Sequence, residues 1–425
     1  MFSTPEKTLA ALENVGYLTD VKTATTVYYA ARLNKPILIE GPAGAGKTEL
    51  ADSVAKAGGM RFIRLQCYEG ITDKQAIGDY NRAMQQLYVE LKGKTTTGSD
   101  WDQIKEEIAS RDFYMAGPLL EAIEAERRCV LLIDELDKVD HAFEALLLEI
   151  LSAWQLSVPG LGTVPARSIP FVVLTSNQER ILGNPLRRRS LYLQVEHPTP
   201  EREAAIVARC TPNCSPATHA FIAGFAQALR GYNLEKPPSI SEMNDIAQAL
   251  ELLGYTEIEA EHKDIILPLI AKTEGDRNRL LMKQSFESII NVAKLYVDRL
   301  AIVKSGVLAD FVPSFKDDPC RTAAPGVPAA DTLADKLIGE CRKLDPLASA
   351  ERIIWVIRRL TPWISAHAKN QNPLDLLERT LPKAFEAQLW REQQAHSTAD
   401  PTNATPMAPA PVHGGANVMA QRAGA

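Results

Sequence analysis

The chain has little of what marks secreted, membrane-spanning or nucleic-acid-coating proteins. No apolar run reaches the roughly 18 residues of a membrane span. The stretch MFSTPEKTLAALENVGYL has no basic segment leading into an apolar one, as a secretory signal would. Cysteine is sparse and scattered, at positions 67, 129, 210, 214, 320 and 341 of 425. That usage excludes a disulfide framework and fits a reducing compartment, so a cytoplasmic protein without membrane association is expected. Positive charge is not in excess. The formal net charge of −6 argues against a whole-chain nucleic-acid footprint, which is normally basic. No repeat of roughly 20 to 50 residues is present, which excludes a solenoid.

What remains is ordinary globular composition, with 45% hydrophobic and 24% charged residues, long enough for two or three domains. Five stretches read as buried or half-buried strands: 36–40, 61–66, 129–133, 171–174 and 190–195. Two contain the uninterrupted apolar runs VLLI and FVVL, as parallel strands covered on both faces do. Helical patterns such as Thr48–Ala57 and His141–Ser152 alternate with the strands. The expected fold is therefore α/β, with a doubly wound, parallel five-stranded sheet, over residues 1–199. From Pro200 the periodicity is helical throughout, which predicts an all-α domain over 200–300. A linker is expected over 301–332, where the string TAAPGVPAAD lies. Helices are expected to resume over 333–395 with breaks near Pro362 and Pro373. A disordered tail is expected over 396–425, where Asp400 and Arg422 are the only charges.

The most specific chemistry lies in Gly41-Pro42-Ala43-Gly44-Ala45-Gly46-Lys47-Thr48. It fits G-x-x-x-x-G-K-[ST] and sits between a strand, PILIE, and a helix, TELADSVAKA. Glycines let successive backbone N–H groups curl around phosphates, and the helix presents its positive N-terminal dipole to them. In such loops the lysine, here Lys47, neutralises the β- and γ-phosphates and the hydroxyl, here Thr48, ligates Mg²⁺. Glu49 closes the nucleotide-binding stretch. ATP and Mg²⁺ are the cofactors this pattern implies.

The second element is an apolar strand ending in Asp134-Glu135, which puts two carboxylates at the sheet edge where α/β proteins bind ligands. Asp134 is expected to hold Mg²⁺ and Glu135 to polarise the attacking water. The strand 171–174 runs into Thr175-Ser176-Asn177 and brings a polar side chain to the same edge. Three arginines, Arg187-Arg188-Arg189, precede the last strand. Alone they read as a solvated basic helix end. The sharper alternative is an arginine finger supplied to a neighbouring subunit, which would make oligomerisation a condition of activity.

Phosphate loop, acidic strand, polar strand end, arginine cluster and helical lid, in this order, resemble an AAA+ ATPase with a P-loop NTPase core. More narrowly the chain resembles the MoxR family, within it the subgroup associated with carbon monoxide dehydrogenase maturation and with von Willebrand factor A domain proteins. The likeness is carried by GYLTD, EGPAGAGKTELA, LQCYEGIT, LLIDELDKVDHAFEALLLEILS, VPGLGTV, VVLTSN, PLRRRSLYLQVEHPTPEREAAIV, KPPSISE and KTEGDRNRL, together spanning about Val15 to Leu281. It implies that Asn177 is the γ-phosphate sensor, that Arg189 is the first choice for the finger and Arg188 the second, and that Gly16 and Tyr17 lie near the adenine. It makes 73–119 a family insertion and 155–167 a hairpin, projections that in related machines line a central pore. One departure stands out. Many AAA+ lids open a helix with an arginine, whereas the comparable run here is Pro238-Ser239-Ile240-Ser241-Glu242, which leaves Lys236 as a substitute.

The resemblance implies a homo-oligomeric, hexameric ring that uses ATP to remodel, or load cofactor into, a client protein, with a von Willebrand factor A domain protein as partner. Two other readings stay open: a nucleotide-gated scaffold that docks such a partner through the C-terminal helices, and a helicase or clamp-loader relative, which the acidic charge disfavours. Cys210-x-x-x-Cys214 has no second Cys or His pair at useful spacing, so no metal is expected there. His141 and the stretch Lys92–Arg111 read as solvated surface.

Overall fold

The computed structural model describes residues 2–93, 101–232, 234–282, 285–307, 329–346, 348–367 and 379–384. It divides into two compact units, Met1–Val297 and Asp298–Ala425.

Among the described residues the first unit holds nine strands: β1 (Ile37–Glu40), β2 (Phe62–Gln66), β3 (Gly78–Tyr80), β4 (Tyr114–Ala116), β5 (Val130–Asp134), β6 (Gln155–Val158), β7 (Gly162–Pro165), β8 (Phe171–Ser176) and β9 (Leu191–Gln194). Five of them form one sheet in the order β2-β5-β8-β1-β9, and every neighbouring pair is parallel. Apolar continuity tracks position in this sheet. Every residue of β5, β8 and β1 is buried, whereas the edge strands β2 and β9 alternate buried and less buried positions. The order sets the C-terminal ends of β5, β8 and β1 side by side, so Asp134, Asn177 and the loop opening at Gly41 emerge at one edge.

Successive side chains of a strand point to opposite faces. Ile37 and Ile39 accordingly pack with Leu12, Val27, Leu50 and Val54 of α1 (Pro5–Asn14), α2 (Val21–Leu33) and α3 (Lys47–Gly58). Leu38 joins Leu131, Ile133, Leu119, Leu120 and Leu147 on the other face. That face is covered by α7 (Pro118–Glu124) and α8 (His141–Ala153), after the short α4 (Asp73–Ile77), α5 (Arg82–Gly93) and α6 (Trp101–Ile108). The stretch expected as an insertion carries α4, α5, α6 and the antiparallel pair β3-β4, and its last residues enter α7. The expected hairpin is the antiparallel pair β6-β7. Helix α9 (Asn184–Arg189) links β8 to β9.

The helical run follows as α10 (Pro200–Cys210), α11 (Pro216–Gly231), α12 (Ile240–Leu253), α13 (Lys263–Ile270), α14 (Glu274–Leu281) and α15 (Ser285–Lys304). Its starts are chemically marked: Thr199 and Ser215 cap helices whose first residue is proline, and Ser239 and Glu242 form a capping box. Phe221, Phe225, Ile246, Leu250 and Phe286 make its core. Arg230 grips Glu203 through two bonds of 2.7 Å. Burial pushes the Glu203 carboxyl up, with Arg230 pulling the other way.

In the second unit α16 (Ala329–Leu344) and α17 (Ala350–His367) follow. Two expectations are corrected here. Helix α16 starts four residues ahead of the expected Leu333, and α17 continues past Pro362 to His367 where a break was expected. A proline inside a helix removes one backbone bond and strains the turn before it, which bends a helix without having to end it. The expected linker is helical at both its ends, up to Lys304 and from Ala329. Its middle, the expected break at Pro373, residues 385–395 and the tail from 396 lie outside the described residues. Among the described residues no helix is long and apolar enough to cross a membrane.

Candidate active site

The loop between β1 and α3 is shaped by close approach. A Cβ on Gly41 would lie 2.0 Å from the Val195 carbonyl oxygen, so only glycine lets β1 leave the sheet here. Gly44 has φ +70°, and a Cβ on it would lie 2.2 Å from Cβ of Ser239, the cap of α12. The lid helix therefore rests directly on the loop. Gly44→Ala would combine a left-handed backbone, costing about 1–2 kcal/mol outside glycine, with that clash. The expected result is at least a tenfold weaker ATP affinity, read by titration with a fluorescent nucleotide. Unchanged affinity would show that the lid contact does not shape the bound state.

Lys47, the first residue of α3, is only 7% exposed. Its Nζ donates to the carbonyls of Gly41 and Pro42 and to Oδ1 of Asn177, each at 2.7 Å. The expected lysine and the expected sensor, 130 residues apart, are thus in direct contact. Burial pulls Lys47 below the ordinary lysine value, and Asp137, Asp134 and Glu135 act against it.

Asp134 is 3% exposed and surrounded by donors. Thr48 Oγ1 lies 3.2 Å from both of its oxygens, the Thr175 hydroxyl donates to Oδ1 in a short bond, and Arg64 donates to Oδ2 at 2.6 Å. Glu135 takes the left-handed conformation, φ 56° and ψ 50°, and its N–H donates to Thr175 Oγ1 at 3.0 Å. A non-glycine residue in that region costs free energy that its surroundings must offset. Here the turn swings the Glu135 side chain out of the strand direction. Asp137, 5% exposed, accepts from the backbone N–H groups of Asn177 and Glu179, both at 3.0 Å. It thereby ties the segment after β5 to the loop after β8.

These groups border a cavity of about 860 Å³, within the range of ligand sites. Gly16 and Tyr17 line it together with Ala43–Glu49, Asp134, Glu135 and Asn177. The Tyr17 hydroxyl reaches the Gly46 carbonyl at 3.4 Å, and burial raises its phenol well above the ordinary value. The lid contributes Arg202, Arg209, Ser241 and Asn244. Arg202 is paired with Asp20 at 3.1 Å. Lys236, the expected substitute for the missing lid arginine, is not among the lining residues; its backbone N–H is bonded to Asp276. The cations that the lid brings to the cavity come from α10 instead. His197 also lines it, and burial, then Arg230 and Lys47, hold its imidazole below the ordinary value.

The residues present fit ATP with Mg²⁺. A glycine cradle, a buried lysine and a helix N-terminus meet the needs of a polyphosphate. The Thr48 hydroxyl and Asp134 carboxylate are the hard oxygen donors that Mg²⁺ takes. Bound there, Mg²⁺ would neutralise charge on the β- and γ-phosphate oxygens.

The arginine cluster divides. Arg187 turns inward and pairs with Glu40 at 2.5 Å, whereas Arg188 and Arg189 are exposed and absent from the cavity lining. Sequence reasoning missed Arg64, Asp137, the bond of Thr175 to Asp134 and the Glu40–Arg187 pair. Only Asp137, three residues after Asp134 in an acidic run, carried a signal.

Residues 37–196 match the family model described as ATPase family associated with various cellular activities (AAA). No curated protein sequence matches the chain. Among solved structures, a mutant of Thermotoga maritima RuvB is 18% identical, covering 76% of this chain and 84% of its own, with a TM-score of 0.37. The Thermotoga maritima RuvB Holliday junction branch migration motor is 19% identical over the same shares, with a TM-score of 0.35. Superpositions that loose leave the family match to carry the assignment. Residues 37–196 are an AAA-family ATPase domain, and the chain that carries it hydrolyses ATP with Mg²⁺ as cofactor.

Proposed function

We propose that this protein is a ring-forming, MoxR-like ATPase, hexameric as that resemblance implies, that remodels a client protein or loads cofactor into it. Lys47 binds the β- and γ-phosphates, Thr48 and Asp134 hold Mg²⁺, Glu135 polarises the attacking water, and Asn177 orients it. Arg189, with Arg188 beside it, serves the site of the adjacent subunit. One observation carries this reading. Both arginines are exposed on a helix whose neighbouring arginine is half-buried and paired with the buried Glu40, and neither lines the chain's own cavity. Apart from Arg202 and Arg209 of the lid, the cavity takes no arginine from the described residues of its own chain, so in this reading the finger comes from a second copy.

The test is steady-state ATP hydrolysis against protein concentration, run beside size-exclusion profiles. Specific activity is expected to rise as the ring assembles. Activity independent of concentration, in a protein that stays monomeric, would end the ring reading.

The scaffold reading draws on a different observation, the separate compact unit from Asp298 onward, which the ATPase domain does not need. In that reading the unit docks a von Willebrand factor A domain partner. Such a partner bound with equal affinity by wild-type and Glu135→Gln protein, in wild type that turns over ATP only slowly, would favour the scaffold over the motor.

A further inference from the structure

Glu40 is the last residue of β1, directly before the phosphate loop, and only 2% of it is exposed. Its Oε1 accepts from Arg187 at 2.5 Å, and its Oε2 accepts from Gln178 Nε2 at 3.3 Å. Gln178 follows Asn177, the residue in contact with Lys47. One buried carboxylate thus joins three segments: the start of the phosphate loop, the loop after β8, and α9.

Helix α9 has six residues, too few to hold a conformation by itself. Its pose depends on what anchors it. Leu186 is 1% exposed, the Gly183 N–H at its cap donates to Glu144 at 2.9 Å, and the Arg187 guanidinium lies 5.9 Å from the centre of the Tyr192 ring. Arg187 is the only one of the three arginines anchored by charge to the strand that feeds the phosphate loop. Each residue turns a helix by about 100°, so fixing Arg187 fixes the directions in which Arg188 and Arg189 leave. Glu40 is buried while a third of the Arg187 side chain is exposed, and an ion pair with a desolvated carboxylate is no more stabilising than well-packed apolar side chains of the same size. Packing alone therefore does not account for a charge pair at this junction, whereas the demand for one direction does.

We propose that the Glu40–Arg187 pair is a strut that aims Arg188 and Arg189 at the neighbouring subunit and ties that aim to the phosphate loop of the subunit supplying them. Glu40 and Arg187 are positioning residues. They act through α9 on a site in the next copy. The inference rests on the trans reading of Arg188 and Arg189, and the test separates the two.

Acceptor subunits carry Arg188→Ala with Arg189→Ala and keep an intact phosphate loop. Donor subunits carry Lys47→Ala, so they cannot turn over ATP and contribute only their arginines. Mixing the two is expected to restore turnover. Donors that add Glu40→Gln or Arg187→Gln are expected to restore at least tenfold less, while entering rings with acceptors to the same extent by size exclusion. Donors with Arg187→Lys, which keeps charge but loses the planar fork, are expected to fall between. Equal rescue by intact and strut-broken donors would overturn the strut and leave the trans reading standing. Failure of the simple Lys47→Ala donor to rescue, although it enters mixed rings, would overturn the trans reading itself and the strut with it. If both Gln donors fail to enter rings, the pair is an assembly brace and the strut is likewise overturned.

Discussion

Glu135→Gln is expected to lower ATP turnover by about 100- to 10 000-fold while ATP binding stays within a few-fold of wild type. The amide matches the carboxylate in size, but it cannot take a proton from water at neutral pH. The fold should tolerate the change. The left-handed turn at Glu135 is held by its backbone N–H on Thr175, and Thr175 is held in turn by Asp134, so neither anchor involves the Glu135 side chain. Lys47, Thr48 and Asp134 are untouched, which is why binding should persist. Phosphate release in the steady state and fluorescent-nucleotide titration measure the two quantities separately. Turnover at the wild-type rate would remove Glu135 from the chemistry. Equal loss of binding and turnover would make it a structural residue of the turn.

The distribution of what the sequence revealed follows from the range of the interactions involved. Strands β5 and β8 were legible because burial on both faces demands unbroken apolar runs, and the structure places both in the interior of the sheet. The phosphate loop was legible because one ligand needs glycines, a lysine and a hydroxyl within eight consecutive residues. Strand order was not legible. That β1 lies between β8 and β9, and not beside β2, depends on packing both faces at once. The same limit applied to the arginines. Three in a row announce a basic helix end, but which of them turns inward depends on Glu40, 147 residues away in sequence. Arg64, and the bond from Thr175 to Asp134, were invisible for the same reason. Each matters only because pairing of β2 and β8 with β5 brings it to Asp134. Proline misled in the other direction: Pro362 was read as a helix break, yet α17 runs through it.

Simultaneous replacement of Arg188 and Arg189 by alanine is expected to lower turnover about 10³- to 10⁵-fold, the range that arginine fingers contribute elsewhere. ATP binding per subunit and ring assembly should stay at wild-type levels. Neither side chain lines the cavity of its own chain, and the bond from the Arg189 guanidinium to the Pro185 carbonyl, at 3.3 Å, is at the surface and weak. Arg187→Ala is expected to behave differently. It leaves the Glu40 carboxylate, only 2% exposed, without its cation, a destabilising loss, so thermal stability should fall with activity. Mixing then decides between cis and trans action. In random rings built from equal amounts of Lys47→Ala subunits and arginine-less subunits, a site works only if its own phosphate loop is intact and its neighbour supplies the arginines. Both conditions hold at about a quarter of positions, so two inactive proteins should together regain about a quarter of wild-type turnover. Arginines that act only within their own chain would give none, and the proposed shared site would be abandoned.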